Sequence, residues 1–415
     1  AYTIVRNGPS DYEVVDDELI ALVRWMPNYD DDGTPNASEN RRQVTGILVT
    51  GTPSNPVLYV TSSDPRIGAG AGGEGDLDLD TNSGVISRLT WDGSSWNKVD
   101  LVRGLPRSEE NHASNGMQLD AAANILYVAQ GGNTNAGAPS TNFAFATETA
   151  LSAAILSVDL TALDAMPVLG SPGSEYVYDI PTLDDPDRPN IDGKDENDPF
   201  GGNDGLNQAK LVAGGPVQIH ASGFRNPYDL VIMQSPGQEG RMYSVDNGAN
   251  EGWGGYPQNE GPAGNCTNDY PAGEPGFVNN LDTLHFVTGA GYYGGHPTPV
   301  RGNPAGAGLY RFDNDANPGE EAIFELTPTV DWPPVPVSMA DARECDYRLP
   351  GDPDNPSLLE LDYSTNGLVE YTATTFSGGL LGDILAASYD GGLLRFELSA
   401  DGTTVVNGVE YLATN

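Results

Sequence analysis

Basic side chains are scarce. The chain has 19 Lys and Arg against 59 Asp and Glu, a net charge of −40, and its only lysines are Lys98, Lys194 and Lys210. Such a field repels polyanions, which excludes nucleic acid and anionic membrane surfaces as partners. It draws divalent cations, and calcium or salt would relieve the repulsion among carboxylates. A saline extracellular or cell-surface setting is expected. Long apolar runs are also missing, so the sequence offers no membrane span. Helical periodicity is equally sparse. The best helical stretch, Glu148 to Ala154, is short and leads into the strand-like ILSVDL. Cysteine is limited to Cys266 and Cys345, both in polar, turn-rich segments. A free thiol there would be reactive, so a disulfide and an oxidising compartment are expected. No signal peptide is recognisable, and a start at Ala1 is what a processed product would show.

What is present is punctuation. The 52 Gly and 32 Pro are spread between short strand-like runs, which reads as many turns in an all-β chain. From Val44 onward, strand–turn–strand pairs recur: VTGILVTGTPSNPVLYVTSSD, MQLDAAANILYVAQGG, YDLVIMQSPGQEGRMYSVDNG and LLGDILAASYDGGLLRFEL. Their spacing is irregular because insertions intervene. Residues 1–40 read as an N-terminal strand followed by an acidic loop, and 41–415 as the repeated body. Within the first part, Asn28, Asp30, Asp32 and Glu39 fall at positions 1, 3, 5 and 12 of a run with Gly33 at position 6. That is calcium-loop spacing outside an EF-hand, with a solvated acidic turn as the plain alternative. Two insertions, 73–80 and 184–205, are acidic enough to hold cations or simply to stay solvated.

The most informative stretch is GFRNPYDLVIMQSPGQEGRMYSVDNGANEGWGGYP, from Gly223 to Pro257. Two strands are joined by the turn SPGQEG, with Arg225-Asn226-Pro227 before the first and Asp246 to Gly252 after the second. The glycines of the second corner let carbonyls and carboxylates turn toward one point, as a hard cation requires. This pattern resembles the glucose/sorbosone dehydrogenase family, soluble sugar dehydrogenases dependent on pyrroloquinoline quinone (PQQ). The resemblance rests on Gly223, Arg225, Asn226, Pro227, Asn247-Gly248 and Gly252-Trp253-Gly254-Gly255-Tyr256. It implies a six-bladed β-propeller, here with long acidic loop insertions.

Further roles follow from the same resemblance. His112, in ENHASNG just ahead of a strand pair ending LYV, matches the general base that takes a proton from the sugar. Histidine suits that task because its pKa lies near the operating pH. Gln130 and Asn133 fall at the turn lining the channel. Arg225 and Asn226 match the cofactor-contacting pair, a guanidinium being suited to a ligand carboxylate. Gly248 and Ala249 match the positions whose carbonyls bind calcium, and Glu251 lies in the same corner. Tyr292, Tyr293, His296 and Arg301 combine aromatic faces with polar groups, as sugar binding uses; a packed rim loop is the bland alternative.

Two departures stand out. Asp390 occupies the position where the family has a lysine over the cofactor, replacing attraction for a polyanion by repulsion. The chain also reaches Asn415 before the family's further strand pair, so an incomplete last blade is expected. Two functions therefore stay open. One is a calcium- and quinone-dependent oxidoreductase acting on aldoses. The other is a non-catalytic, calcium-stabilised propeller binding glycan or protein, as an adhesin or filament module working with neighbouring copies would.

Overall fold

The computed structural model describes residues 2–9, 11–20, 22–30, 35–67, 79–144, 146–183, 208–257, 266–268, 279–308, 310–311, 324–325, 332–362, 364–389 and 391–414. The architecture is all-β, with blade-like antiparallel sheets in a propeller-like arrangement. Strands β1 (Tyr2–Arg6) and β2 (Tyr12–Asp17) form a separate hairpin. The first blade is a meander of β3 (Gln43–Thr52), β4 (Asn55–Ser63), β5 (Gly84–Trp91) and β6 (Trp96–Leu105). The second starts with β7 (Ser114–Asp120), β8 (Ile125–Gln130) and β9 (Ala154–Asp159). Strand β10 (Tyr176–Asp179) then returns to lie parallel to β6, and β11 (Val217–Ser222) completes the second meander.

The third blade comprises β12 (Pro227–Ile232), β13 (Met242–Asp246) and β14 (Asp282–Val287). Strand β15 (Tyr292–Tyr293) adds in parallel to β11, and β16 (Tyr310–Arg311) pairs only with β17 (Phe324–Glu325). After this excursion β18 (Ser357–Leu361) closes the third blade against β14. The fourth blade is β19 (Thr365–Glu370), β20 (Ile384–Ser388), β21 (Gly392–Phe396) and β22 (Glu410–Ala413).

The described residues thus build four blades, where the resemblance implied six. Besides the four blades, the described residues form two two-stranded hairpins, β1–β2 and β16–β17. The last blade has four strands, with β22 on its outer edge, so the expected shortfall there is not seen. Glu148 to Ala154, too short a helical stretch to count against an all-β chain, is a turn. Ser152 Oγ and the Glu148 carboxylate bond to each other and to nearby backbone, and Ala153 takes a left-handed φ of 56°. Local side-chain bonds of this kind compete with helix. The acidic insertion 184–205, most of 73–80, and Asp32 and Asp390 lie outside the described residues.

Alternating side chains give each blade two apolar faces, and the faces stack. Leu101 and Ile86 of the first blade meet Leu126, Leu156 and Val158 of the second. Ala129, Ile155 and Ala221 of the second meet Leu230, Met242 and Val287 of the third. Tyr243, Val245 and Leu284 of the third meet Leu368, Ile384 and Phe396 of the fourth. Each fully buried Leu, Ile or Phe contributes roughly 1.5–3 kcal/mol. The inner strands lie side by side in the order β3, β7, β12, β19. Two glycines permit that approach: a Cβ on Gly46 would fall 2.1 Å from the Asn115 carbonyl oxygen, and one on Gly116 2.0 Å from Asp229 Oδ1.

Disulfide Cys266–Cys345 is formed, with its Cα atoms 5.3 Å apart. It ties the 266–268 segment to the loop that also carries Glu344, Tyr347 and Arg348. No helix of the described residues is long and apolar enough to cross a membrane.

Candidate functional site

All four inner strands begin at the same end of the arc, and amide side chains stitch their starts together. Asn115 Nδ2 donates to Asn226 Oδ1 at 3.0 Å, Asn226 Nδ2 to Asn247 Oδ1 at 3.0 Å, and Asn247 Nδ2 to the Thr365 carbonyl at 3.2 Å. This ladder links the second, third and fourth blades. Two carboxylates anchor it. Asp246 accepts from the Arg225 and Asn226 amides at 3.0 and 2.7 Å, while Asp282 accepts from Gly248 N at 2.9 Å and Thr365 N at 2.7 Å. Burial pushes Asp246 up to about 7 despite those donors and the nearby Arg225. Burial raises Asp282 as well.

The ladder positions Arg225. Its Nε donates to Asn135 Oδ1 at 3.1 Å and its guanidinium lies 5.8 Å from the centre of the Phe143 ring. The residue is only 5% exposed, yet Nη2 has no hydrogen-bond partner. A buried guanidinium with an unused donor is costly, and a carboxylate would satisfy it. Burial lowers its pKa, with Glu110, Asp246 and Asp282 working the other way.

Arg225 lines a narrow cleft that encloses about 40 Å³ and widens into open solvent at its mouth. Asn247, Gly248, Ala249, Tyr347 and Arg348 also line it, with His285, His296 and Asp246. The cleft therefore sets two guanidiniums, two imidazoles and the Asp246 carboxyl among amide groups. His296 is held from behind by Glu148: Nε2 lies 2.9 Å from Glu148 Oε1 and 3.1 Å from Thr134 Oγ1. Glu148 also accepts from the Asn133 amide at 3.0 Å, Thr134 Oγ1 at 2.6 Å and Ser152 Oγ at 2.5 Å. Burial alone would raise this carboxyl, but the bonds from His296, Ser152 and Thr134 prevail and hold it below its ordinary value. An ionised Glu148 only accepts, so His296 Nε2 carries a proton.

His112 stands apart from the cleft lining. It is 3% exposed, with Nδ1 2.9 Å from the Gly132 carbonyl, Nε2 3.6 Å from Glu110, and its ring 5.2 Å from Phe143. Because that carbonyl can only accept, the His112 proton is on Nδ1. Burial and then Arg225 push its pKa well below the usual value, so the ring is neutral. His112 and Arg225 pack against the same Phe143, and Gly132 N donates to the Arg225 carbonyl at 2.8 Å. His112, Arg225 and the 247–249 corner thus share one end of the arc.

The other predicted residues divide. Gln130 is fully buried and bonded to Ser114 Oγ and the Pro106 carbonyl. Asn133 binds the Thr147 carbonyl through Nδ2 and leaves Oδ1 buried without a partner. The Ala249 carbonyl accepts from Asn280 N at 2.9 Å, and Glu251 is exposed in a turn. Tyr292 meets His285 Nδ1 at 2.8 Å, and Tyr293 donates to the Asp346 carbonyl beneath Arg348. Arg301 is a buried clamp joining Glu344 Oε2 at 2.7 Å to the Ser152 carbonyl. Of these four, His296 lines the cleft. In the N-terminal loop, Asn28 is bonded to Arg42 and to the Glu39 and Arg41 carbonyls, Asp30 to Arg66, and Glu39 to Arg41. Each of these three side chains therefore has partners within the chain, while Asp32 lies outside the described residues. Among the described residues no group of three or more His, Cys, Asp or Glu could hold a metal.

Sequence reasoning passed over Glu148, Asn115, Asn135, Asp282 and Arg348. Asn115 lies in the ENHASNG run without having been given a role there, and the bonds of Glu148, Asn135 and Asp282 reach partners distant in sequence.

No protein-family model and no curated protein matches the chain. Among solved structures, the iodide structure of a Trichoderma reesei carbohydrate-active enzyme of family AA12 superposes with a TM-score of 0.43 at 11% identity, covering 100% of this chain and 77% of that one. The holo form of the pyranose dehydrogenase PQQ domain from Coprinopsis cinerea gives 0.40 at 11% identity, covering 90% of this chain and 82% of that one. Likeness at this level fixes no activity.

Proposed function

We propose that a planar, carboxylate-bearing ligand of the PQQ class binds across the open mouth of the cleft, reaching Arg225 with a carboxylate, and that the chain, with calcium, uses it to oxidise aldose sugars outside the cell. The observation that supports this most is the buried, unpartnered Nη2 of Arg225 in a cleft that also holds Arg348. Two guanidiniums suit a polycarboxylate, and the amides of Asn135 and Asn247 supply further polar contacts. In this reading Gly248 and Ala249 lie where a cation could sit beside the ligand. When bound, the quinone would supply the two-electron acceptor. The chain's own contribution is orientation and proton handling. His296, fixed by Glu148, presents Nδ1 for a proton from the sugar, while neutral His112 stands behind Phe143 and supports the Gly132 turn.

The test is a titration of PQQ with calcium, followed by absorbance, and then reduction of an artificial electron acceptor by aldoses. Saturable binding weakened at least tenfold by Arg225→Leu is expected, together with dye reduction that His296→Ala abolishes. No spectral change on adding cofactor would end the proposal.

A second reading has its own support. In the hairpin β1–β2, Tyr2, Ile4, Tyr12 and Val14 are all more than half exposed. A lone two-stranded ribbon is marginal in water. This favours a surface or filament module in which neighbouring copies associate, with no catalysis. Light scattering of the intact chain in molar salt, compared with a chain lacking residues 2–17, separates the readings: a monomer in both cases would remove the second.

A further inference from the structure

The stacked faces of the second and third blades do not fill their interface to the far end. Away from the Arg225 cleft, where β7 and β12 finish, the interface opens into a second cleft of about 490 Å³. That is within the roughly 300–1,000 Å³ typical of small-molecule sites. We infer that this second cleft binds a neutral saccharide unit, with Tyr127 and His220 as its aromatic corner.

Sheet register explains how the cleft is walled. Ile232 pairs with Met242 and Met242 with Val287, so three apolar side chains form one cross-strand row on the third blade. Opposite them, Gln118 pairs with Tyr127 on the second blade. Strand β11 would normally alternate past this point, but its register with β9 slips between Ile219 and Ala221, leaving His220 as the extra residue. Such a bulge re-aims a side chain. Here it brings the imidazole edge-on to the Tyr127 ring, with centroids 4.6 Å apart.

The chemistry of the walls selects the ligand. Among the described residues the side chains of Gln118, Gln234 and His220 make no hydrogen bond, although all three line the cleft. They offer donors and acceptors beside an apolar row and an aromatic ring. A pyranose has that pairing of features: an apolar C–H face for a ring and a rim of hydroxyls for amides and imidazole. Charge argues for neutrality. Asp120 lines the cleft, no Lys or Arg does, and the chain carries a net charge of −40. A sugar acid would meet repulsion. His220 is pushed below its usual pKa by burial, so it is uncharged at neutral pH and free to accept.

The site is independent of the proposed redox reading, and its test separates the two. Saturation-transfer NMR and calorimetry would be run with methyl glycosides of the common hexoses, their disaccharides, and glucuronate as an anionic control. Expected are saturable binding of at least one neutral glycoside, unaltered affinity in Arg225→Leu, and at least tenfold weaker binding in Tyr127→Ala. Gln118→Ala, a half-buried change outside the packed core, provides a second variant should Tyr127→Ala fold poorly, with an expected loss of threefold or more. No saturable binding, glucuronate preferred over the neutral sugars, or binding lost in Arg225→Leu but kept in Gln118→Ala would overturn the assignment.

Discussion

Replacing Glu148 by Gln would dismantle the heavily bonded carboxylate that stands behind His296 of the Arg225 cleft. Its two oxygens accept from Asn133 N, Thr134 Oγ1, Ser152 Oγ and His296 Nε2, and the residue has no exposed surface. The amide keeps one good acceptor and presents an NH2 group to a ring of donors. Two charge-assisted bonds, each about 1.5–3 kcal/mol, are lost or reversed. The Ser152 and Thr134 hydroxyls can turn to accept, and the cost of burying a charge is removed. A net loss of about 3 kcal/mol is expected, in line with broken buried pairs generally. At roughly 2.1 cal/mol/K of unfolding entropy per residue, a chain of 415 residues would melt only ~3 °C lower. Urea unfolding is therefore the better assay. The sign with pH is also fixed. A carboxyl held below its ordinary pKa contributes stability above its unfolded pKa and loses it as pH falls, so the acid limb of the wild-type stability curve should flatten in Glu148→Gln. In a double-mutant cycle with His296→Gln, a coupling of about 1–2 kcal/mol is expected. A single-mutant effect below ~0.5 kcal/mol, or no coupling, would refute the argument that Glu148 fixes His296.

Other carboxyls carry the opposite sign. Burial raises Asp80 to about 8, Asp179 to about 7 and Asp229 to about 6. Their contribution is fully present below the ordinary carboxyl pKa of about 4 and is lost progressively up to those values, so urea midpoints should fall from about pH 4 and level off by about pH 8; a midpoint that rises over this window would contradict the burial account. Removing the disulfide by Cys266→Ser with Cys345→Ser releases a loop spanning 79 positions. Chain entropy sets the cost at about 4–5 kcal/mol, and because Cys345 lies two and three positions before cleft residues Tyr347 and Arg348, PQQ affinity should fall with it, as the same titration would show.

Much of the fold was legible because strand alternation, turn residues and aromatic second strands are local signals. The RNP corner and the DNGAN corner at Asp246 to Asn250 were readable in the same way, since each sits at a strand end where turn chemistry is explicit. Blade number was not legible. It depends on whether segments such as 299–356 pair as blades or run as connections, and composition does not decide that. The Glu148–His296 pair was hidden for a different reason. Its partners are separated by 148 positions and meet only because β15 and the loop after it return to the second blade. In the N-terminal loop, the calcium-type spacing was local and real, yet Arg41, Arg42 and Arg66 engage Glu39, Asn28 and Asp30. Spacing alone could not reveal those competitors.

The order β3, β7, β12, β19 has a mechanical consequence. Val44, Ile47 and Val49 are exposed on β3 at one extremity, and Val369 on β19 at the other. The two middle blades are gripped from both sides. Loosening that starts at either terminus must therefore melt an outer blade before it reaches the middle seam, and amide exchange should slow from the flanks inward. Both clefts open from that seam, in the part of the molecule that would be the last to give way.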